Sequence, residues 1–239
     1  MKQKGDRPKT ALVLLSGGID SATTLAIACR DFRQVDALSF RYGQRHFHEL
    51  KAARKIAAAG KIRCHQILDI PLEKIGGSAL TADIPVPKDR RRESGGSRIP
   101  VTYVPARNLI FLSLALAWAE TRNIFDIFIG VNHMDYSGYP DCRPAFIETF
   151  ERTANLATRA GMKSGRFRVH APLMDLSKAD IIHQGAALGV DFRKTHSCYD
   201  PTAAGLACGR CDSCRIRRKG FQESGITDPT EYAGEQPAH

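Results

Sequence analysis

The chain has 239 residues, 43% of them hydrophobic, which is ample for one large core and tight for two. No apolar run approaches the roughly 20 residues a membrane-spanning helix needs, and the run after the basic Met1 to Thr10 is too short for a signal peptide, so no membrane role and a cytoplasmic location are expected. The net charge of +10 suits anionic partners such as nucleotides or RNA, although it also suits plain solubility.

In chain order, Ala11 to Leu15 is a continuous apolar run of the kind buried on both faces of a parallel sheet, and it ends at Ser-Gly-Gly. Asp20 to Asp31 follows as a helix with Ala22, Leu25, Ala26 and Cys29 on one stripe. Val35 to Tyr42 is a second strand, Gln44 to Ala59 a second helix, and Ile62 to Ile70 a third strand. Such strand–helix alternation implies crossover connections and a parallel sheet. Gly76 to Pro100 breaks the rhythm with glycines, prolines and the basic cluster Lys88, Arg90, Arg91, Arg92 and Arg98; it reads as a mobile flap near a ligand or as a surface insertion.

Ala106 to Glu120 is apolar nearly all round, so burial on more than one side is expected. Asp126 to Val131 is the next strand, and Pro144 suits the first turn of a helix running to about Ala160. Phe167 to Ala171 is a fifth strand. Ser177-Lys178-Ala179-Asp180 reads as a capping box opening a helix through Ala187. From Gly225 onward the chain is polar and shows no core pattern. The expected organisation is a single α/β domain over 1–239, with a strand–helix core at 10–190, a cysteine-rich segment at 191–222 and a tail at 223–239.

A strand running into Ser16-Gly17-Gly18-Ile19-Asp20-Ser21 and then a helix is a device for holding phosphate. The glycines allow a tight turn and close backbone approach, and free amides at the helix start point at the charge. Ser16 and Ser21 add hydroxyls, while Asp20 either caps the helix or helps to hold Mg2+. The string is neither a Walker loop nor a dinucleotide fingerprint.

Of seven cysteines, Cys198, Cys208, Cys211 and Cys214 are spaced C-x9-C-x2-C-x2-C. That pattern suits a closed tetrahedral site holding one structural Zn2+, with Arg210, Arg215 and Arg217 offsetting the thiolate charge. A redox set or an iron–sulfur cluster is the alternative. Cys29 and Cys64 read as core, and Cys142 as an inert buried thiol rather than a nucleophile. His46 and His48 read equally as packing or surface histidines.

Ser-Gly-Gly-x-Asp-Ser after the first strand resembles the signature of the PP-loop, or N-type, ATP pyrophosphatases. Membership there implies a Rossmann-like fold of the adenine nucleotide alpha hydrolase type and cleavage of ATP between its α and β phosphates. Five further features narrow the likeness: Tyr42-Gly43-Gln44-Arg45-His46, Val104-Pro105-Ala106-Arg107-Asn108, Gly130-Val131-Asn132, the run from Asp135 to Pro144, and Thr195-His196-Ser197-Cys198-Tyr199 with the cysteine cluster. Over residues 10–222 the chain resembles the 7-cyano-7-deazaguanine synthase family of queuosine biosynthesis.

The resemblance implies conversion of 7-carboxy-7-deazaguanine and ammonia to the nitrile with ATP and Mg2+. It implies a nucleotide site at Leu14, Leu15, Ser16, Gly17, Gly18, Ile19, Asp20, Ser21, Ala22, Thr23 and Tyr42, with Lys178, Arg107 and Asp20 acting on phosphate. Asp135, Asp141 and Arg143 are expected at the substrate: Arg143 on its carboxylate, Asp141 on the guanine-like edge. Asp141 otherwise reads as a cap for the following helix, and Lys178 as an exposed helix lysine. A homodimer is a family-level expectation, and no nucleic acid is required. Two rival readings are a PP-loop tRNA thiolase, which needs a reactive cysteine pair near the phosphate loop, and a zinc-stabilised RNA-binding module without catalysis.

Overall fold

The structure, a computed structural model, describes residues 10–60, 62–89, 99–134, 139–164 and 166–234. Five strands form one sheet in the order β3-β2-β1-β4-β5, every neighbouring pair parallel. They are β1 (Thr10–Leu14), β2 (Gln34–Arg41), β3 (Cys64–Asp69), β4 (Asp126–Phe128) and β5 (Arg168–His170). The helices are α1 (Ile19–Asp31), α2 (His48–Ala59), α3 (Arg107–Glu120), α4 (Pro144–Ala157), α5 (Arg159–Ser164), α6 (Lys178–Ala187) and α7 (Asp212–Ser224). No helix among the described residues is long and apolar enough to cross a membrane.

Strand alternation sorts the apolar residues into two layers. Leu12 and Leu14 of β1 join Leu38 and Phe40 of β2, Leu112 and Trp118 of α3, and Ile147 and Phe150 of α4 on one face. Ala11 and Val13 join Val35, Leu25 and Ile27 of α1, Ile181 and Ile182 of α6, and Phe221 of α7 on the other. Burial on both faces is why β1 reads as an unbroken apolar run. The strand order reverses direction between β1 and β4, and in open parallel sheets ligands bind beyond the carboxyl ends of the strands at such a point.

Several elements depart from expectation. Helix α2 starts at His48 rather than Gln44, because the Gln44 side chain is used locally: its Oε1 accepts from the Tyr42 amide at 2.8 Å. The fourth helix breaks at Thr158, whose extended backbone (φ −116°, ψ 152°) separates α4 from α5. Helix α3 is not enclosed all round, since Leu109 stays 44% exposed and Ser113 faces out with it. Cys64 is exposed rather than core because it opens the edge strand β3. The capping box at Ser177 forms as expected, Ser177 Oγ accepting from the Asp180 amide at 3.1 Å.

Two larger corrections concern the segments read as peripheral. The described part of Gly76 to Pro100 is anchored: Ala79 and Val86 pack with the cysteines, Lys88 bridges to Cys211, and the Asp89 amide donates to Arg210 O at 3.0 Å. Residues 90–98, with Arg90, Arg91, Arg92 and Arg98, lie outside the described residues.

The stretch after Gly225 is likewise not a loose tail. Tyr232 is buried and pairs with Ala207, while Asp228 forms an ion pair with Arg217 at 2.9 Å, their side chains only 13% and 3% exposed. Truncation after Gly225 would leave the Arg217 charge buried without its carboxylate. A destabilisation of about 3–5 kcal/mol is expected, readable as a lowered denaturant midpoint, with Asp228→Asn following in the same direction.

Candidate active site

The loop after β1 turns at Gly17, whose φ of +97° is left-handed, and α1 begins two residues later at Ile19. Hydroxyls brace the turn. Ser21 Oγ donates to Gly18 O at 3.1 Å and accepts from the Gly17 amide at 3.1 Å, and Ser16 Oγ lies 3.0 Å from it. The His196 amide donates to Gly17 O at 2.9 Å, tying the loop to the strand of chain that leads into the cysteines. The result is a helix N-terminus with Ser16 exposed, a geometry suited to a polyphosphate.

This loop forms one wall of a cavity of about 200 Å3 at the carboxyl ends of β1, β2 and β4. Leu14, Leu15, Ser16, Gly18, Ile19, Asp20, Ser21, Tyr42, Arg107 and Lys178 line it, so most of the residues singled out from sequence come together. Gly17, Ala22 and Thr23 do not line it; Ala22 and Thr23 lie buried in the first turns of α1.

Lys178 is not an exposed helix lysine. It is 7% exposed and its Nζ meets Asp20 Oδ1 at 2.5 Å, across the loop from its own helix. Two features aim it there. Asn132, in the loop after β4, donates from Nδ2 to Leu173 O at 3.1 Å and also to Leu176 O, fixing the approach to α6. Gly220 of α7 leaves room for the lysine stem, since a Cβ there would come within 2.2 Å of Lys178 Cγ.

Arg107 stands at the opposite end, its guanidinium 5.8 Å from the Tyr42 ring centre. It follows Ala106, a non-glycine residue in the left-handed region (φ 53°), which starts α3 abruptly at the cavity edge.

Asp141 is buried, but it serves α3. Its Oδ2 accepts from the Asn108 amide at 3.0 Å, and Asn108 Nδ2 returns a bond to Asp141 O at 3.1 Å. It therefore caps the helix before it in sequence rather than the one after, and it does not line the cavity. Arg143 is exposed at the N-cap of α4 and does not line the cavity either. Asp135 lies outside the described residues. Cys142 reaches the cavity, with burial pushing its thiol up to about 12, which keeps it protonated and a poor nucleophile.

Sequence reasoning missed Glu49, Tyr139 and Tyr199, and it missed the contribution of α7, which brings Ser213, Ile216 and Arg217 to the cavity wall. The pair of histidines left open is partly buried: His46 and His48 each lie 5.5 Å, centre to centre, from the ring of His196.

The four clustered cysteines converge, their sulfurs all within 4.8 Å of one another and Cys208 Sγ 4.0 Å from Cys214 Sγ. Tetrahedral thiolates at a metal–sulfur distance of about 2.3 Å stand roughly 3.8 Å apart, so the set fits a metal ion. Backbone amides already point at the sulfurs: Cys208 N to Cys198 Sγ at 3.2 Å and Cys211 N to Cys208 Sγ at 3.3 Å. The arginines expected to balance the thiolates are partly committed elsewhere, Arg210 to Asp89 and Arg217 to Asp228. Amide dipoles supply part of that balance instead.

A parallel sheet with reversing strand order, a glycine turn into a helix start after β1 and a four-cysteine cluster are the features of a nucleotide-dependent α/β enzyme. The family model described as "Queuosine biosynthesis protein QueC" matches residues 10–225, and the chain belongs to that family. A 7-cyano-7-deazaguanine synthase from Solidesulfovibrio magneticus is 61% identical over 229 residues, covering 95% of this chain and 97% of the relative. Relatives of the same name from Geobacter sulfurreducens and Myxococcus xanthus are each 60% identical, covering 94% of this chain and 93% and 97% of their own lengths. Among solved structures, an NMN synthetase from Francisella tularensis is 18% identical with a TM-score of 0.46, covering 92% of this chain and 78% of that one.

Proposed function

We propose that the chain converts 7-carboxy-7-deazaguanine, ammonia and ATP into 7-cyano-7-deazaguanine, AMP and pyrophosphate. The observation that carries this reading is the cavity in which the glycine turn at the start of α1 and the Lys178–Asp20 pair face an aromatic chamber holding Arg107 and Glu49. A carboxylate is a poor electrophile, so one of its oxygens must first become a leaving group. The substrate carboxylate attacks the α phosphorus and pyrophosphate departs. Ammonia then displaces AMP, leaving the amide and a proton. The amide oxygen attacks a second ATP in the same way, and loss of that second AMP and a proton leaves the nitrile.

The substrate is itself the nucleophile, so the protein's task is positioning and charge stabilisation. Loop amides with Ser16 and Ser21 grip the departing pyrophosphate, and Lys178 offsets the negative charge gathering on phosphate. Asp20 would hold Mg2+, which would supply charge neutralisation at the phosphate oxygens, and Lys178 beside it is placed to pair with phosphate. Zn2+ at Cys198, Cys208, Cys211 and Cys214 is structural, with no position open to substrate. The reading needs no partner beyond these small molecules.

Pyrophosphate release tests the proposal. Metal-replete protein given ATP and the deazaguanine acid alone should release no more than one pyrophosphate per active site, and adding ammonia should bring sustained release with two pyrophosphates for each nitrile formed. Failure to consume ATP under those conditions would remove the reading. The thiolase alternative has no support in the geometry, because the paired cysteines converge on one another at the buried cluster.

A further inference from the structure

Glu49 belongs to the first turn of α2, and it lines both the main cavity and a small neighbouring pocket bounded by Tyr42, Gln44, Arg45, His46 and Tyr199. Its helix is pressed against the phosphate turn, the Glu49 carbonyl lying where a Cβ on Gly17 would be 2.3 Å away. Among the described residues Asp20 and Glu49 are the acids in the wall of the main cavity, and Asp20 is held by Lys178 at the phosphate end.

A 7-deazaguanine presents adjacent N1–H and 2-amino donors on its pyrimidine edge. Adenine has no such pair. A carboxylate is the complementary acceptor, offering two oxygens to two parallel N–H groups. Asp141, the acid expected there from sequence, spends one oxygen on α3 and lies outside the cavity wall. Resting on the reaction proposed above, we infer that Glu49 is the specificity-determining residue that reads the N1–H and 2-amino edge of the deazaguanine base.

The surroundings make this recognition dependent on pH. Burial pushes the Glu49 carboxyl up to about 7, partly opposed by the Arg107 cation. The other titratable groups facing it are Tyr42 from the end of β2, Arg45 and His46 from the following loop, and Tyr199, with burial keeping His46 neutral at pH 7. Two N–H donors favour the ionised form, so base binding should release a proton to solvent when the free carboxyl is protonated. Affinity should therefore be flat above about pH 7 and fall by up to tenfold per pH unit below it.

The test is titration calorimetry of the whole, metal-loaded protein with 7-carboxy-7-deazaguanine and with its analogue lacking the 2-amino group. Wild type should prefer the parent base by on the order of 10- to 100-fold, and Glu49→Gln should shrink that preference to a few-fold while ATP affinity changes little. If Glu49→Gln does not fold, the wild-type preference and the pH dependence of binding still decide the matter. Equal affinity of wild type for both bases, or undiminished preference in a folded Glu49→Gln, would overturn the inference. So would retained base affinity with loss of amide formation alone, which would make Glu49 a proton acceptor for ammonia. A wild type that binds neither base and releases no pyrophosphate would instead remove the functional reading itself.

Discussion

Gly17→Ala is expected to lower nitrile formation by on the order of 1,000-fold or more, with ATP affinity falling alongside. Two independent obstacles act at this position. The backbone is left-handed at φ +97°, a conformation disfavoured for a residue with a side chain. The added Cβ would also sit 2.3 Å from Glu49 O and 2.8 Å from Ala53 N, both backbone atoms of α2. Neither can swing aside as a side chain would, so the turn or the whole helix must shift. Either shift would misaim the loop amides proposed to meet phosphate and displace Glu49, which packs against the turn. Steady-state pyrophosphate release with varied ATP checks this, with metal content and a melting curve to show that the protein remains folded. A folded Gly17→Ala protein with wild-type turnover would show that the loop does not hold the nucleotide.

Stripping the metal, or Cys211→Ser, is expected to abolish activity by releasing the carboxyl-terminal segment. Binding of Zn2+ to such a tetrathiolate contributes on the order of 10 kcal/mol, comparable with the whole stability of a typical domain. Helix α7 starts in the middle of the cluster, at the residue after Cys211. Its other face packs on α6, where Gly220 meets Lys178, and it brings Ser213 and Arg217 to the cavity. Loss of the metal should therefore loosen Lys178, the lysine proposed to meet phosphate, although no cysteine of the cluster lines the cavity. Hydrogen exchange of α7 amides should accelerate in step with lost turnover as chelator is added. Full turnover and unchanged α7 protection in metal-free protein would contradict this coupling.

The sheet and the glycine turn after β1 were legible because their signals are local. The run Ala11 to Leu15 ending in two glycines is dictated by burial on both faces and by close backbone approach, and it stands where expected. The capping box at Ser177 and the proline at the start of α4 are equally local. Helix α7 was not legible because its inward positions include Arg217 and Gly220, which a hydrophobic pattern scores as exposed or as a break. Those residues face inward for tertiary reasons: Asp228 arrives from fourteen residues beyond Cys214, the cluster's last cysteine, and Lys178 arrives from α6. Glu49 was hidden in the same way. In sequence it is one charge on an amphipathic helix, and only the packing of α2 against the loop brings it to the cavity. Asp141 shows the converse, a conspicuous acid in a distinctive string whose carboxylate is engaged by the start of α3.

The central claim is that a substrate oxygen, rather than water, attacks the α phosphorus of ATP. The most direct test supplies 7-carboxy-7-deazaguanine carrying 18O at both carboxylate positions and reads the products by mass spectrometry. Each AMP released should carry one 18O, so that both labels leave in two AMP molecules for every nitrile formed, and pyrophosphate should carry none. Label appearing in pyrophosphate or in water, with unlabelled AMP, would contradict it.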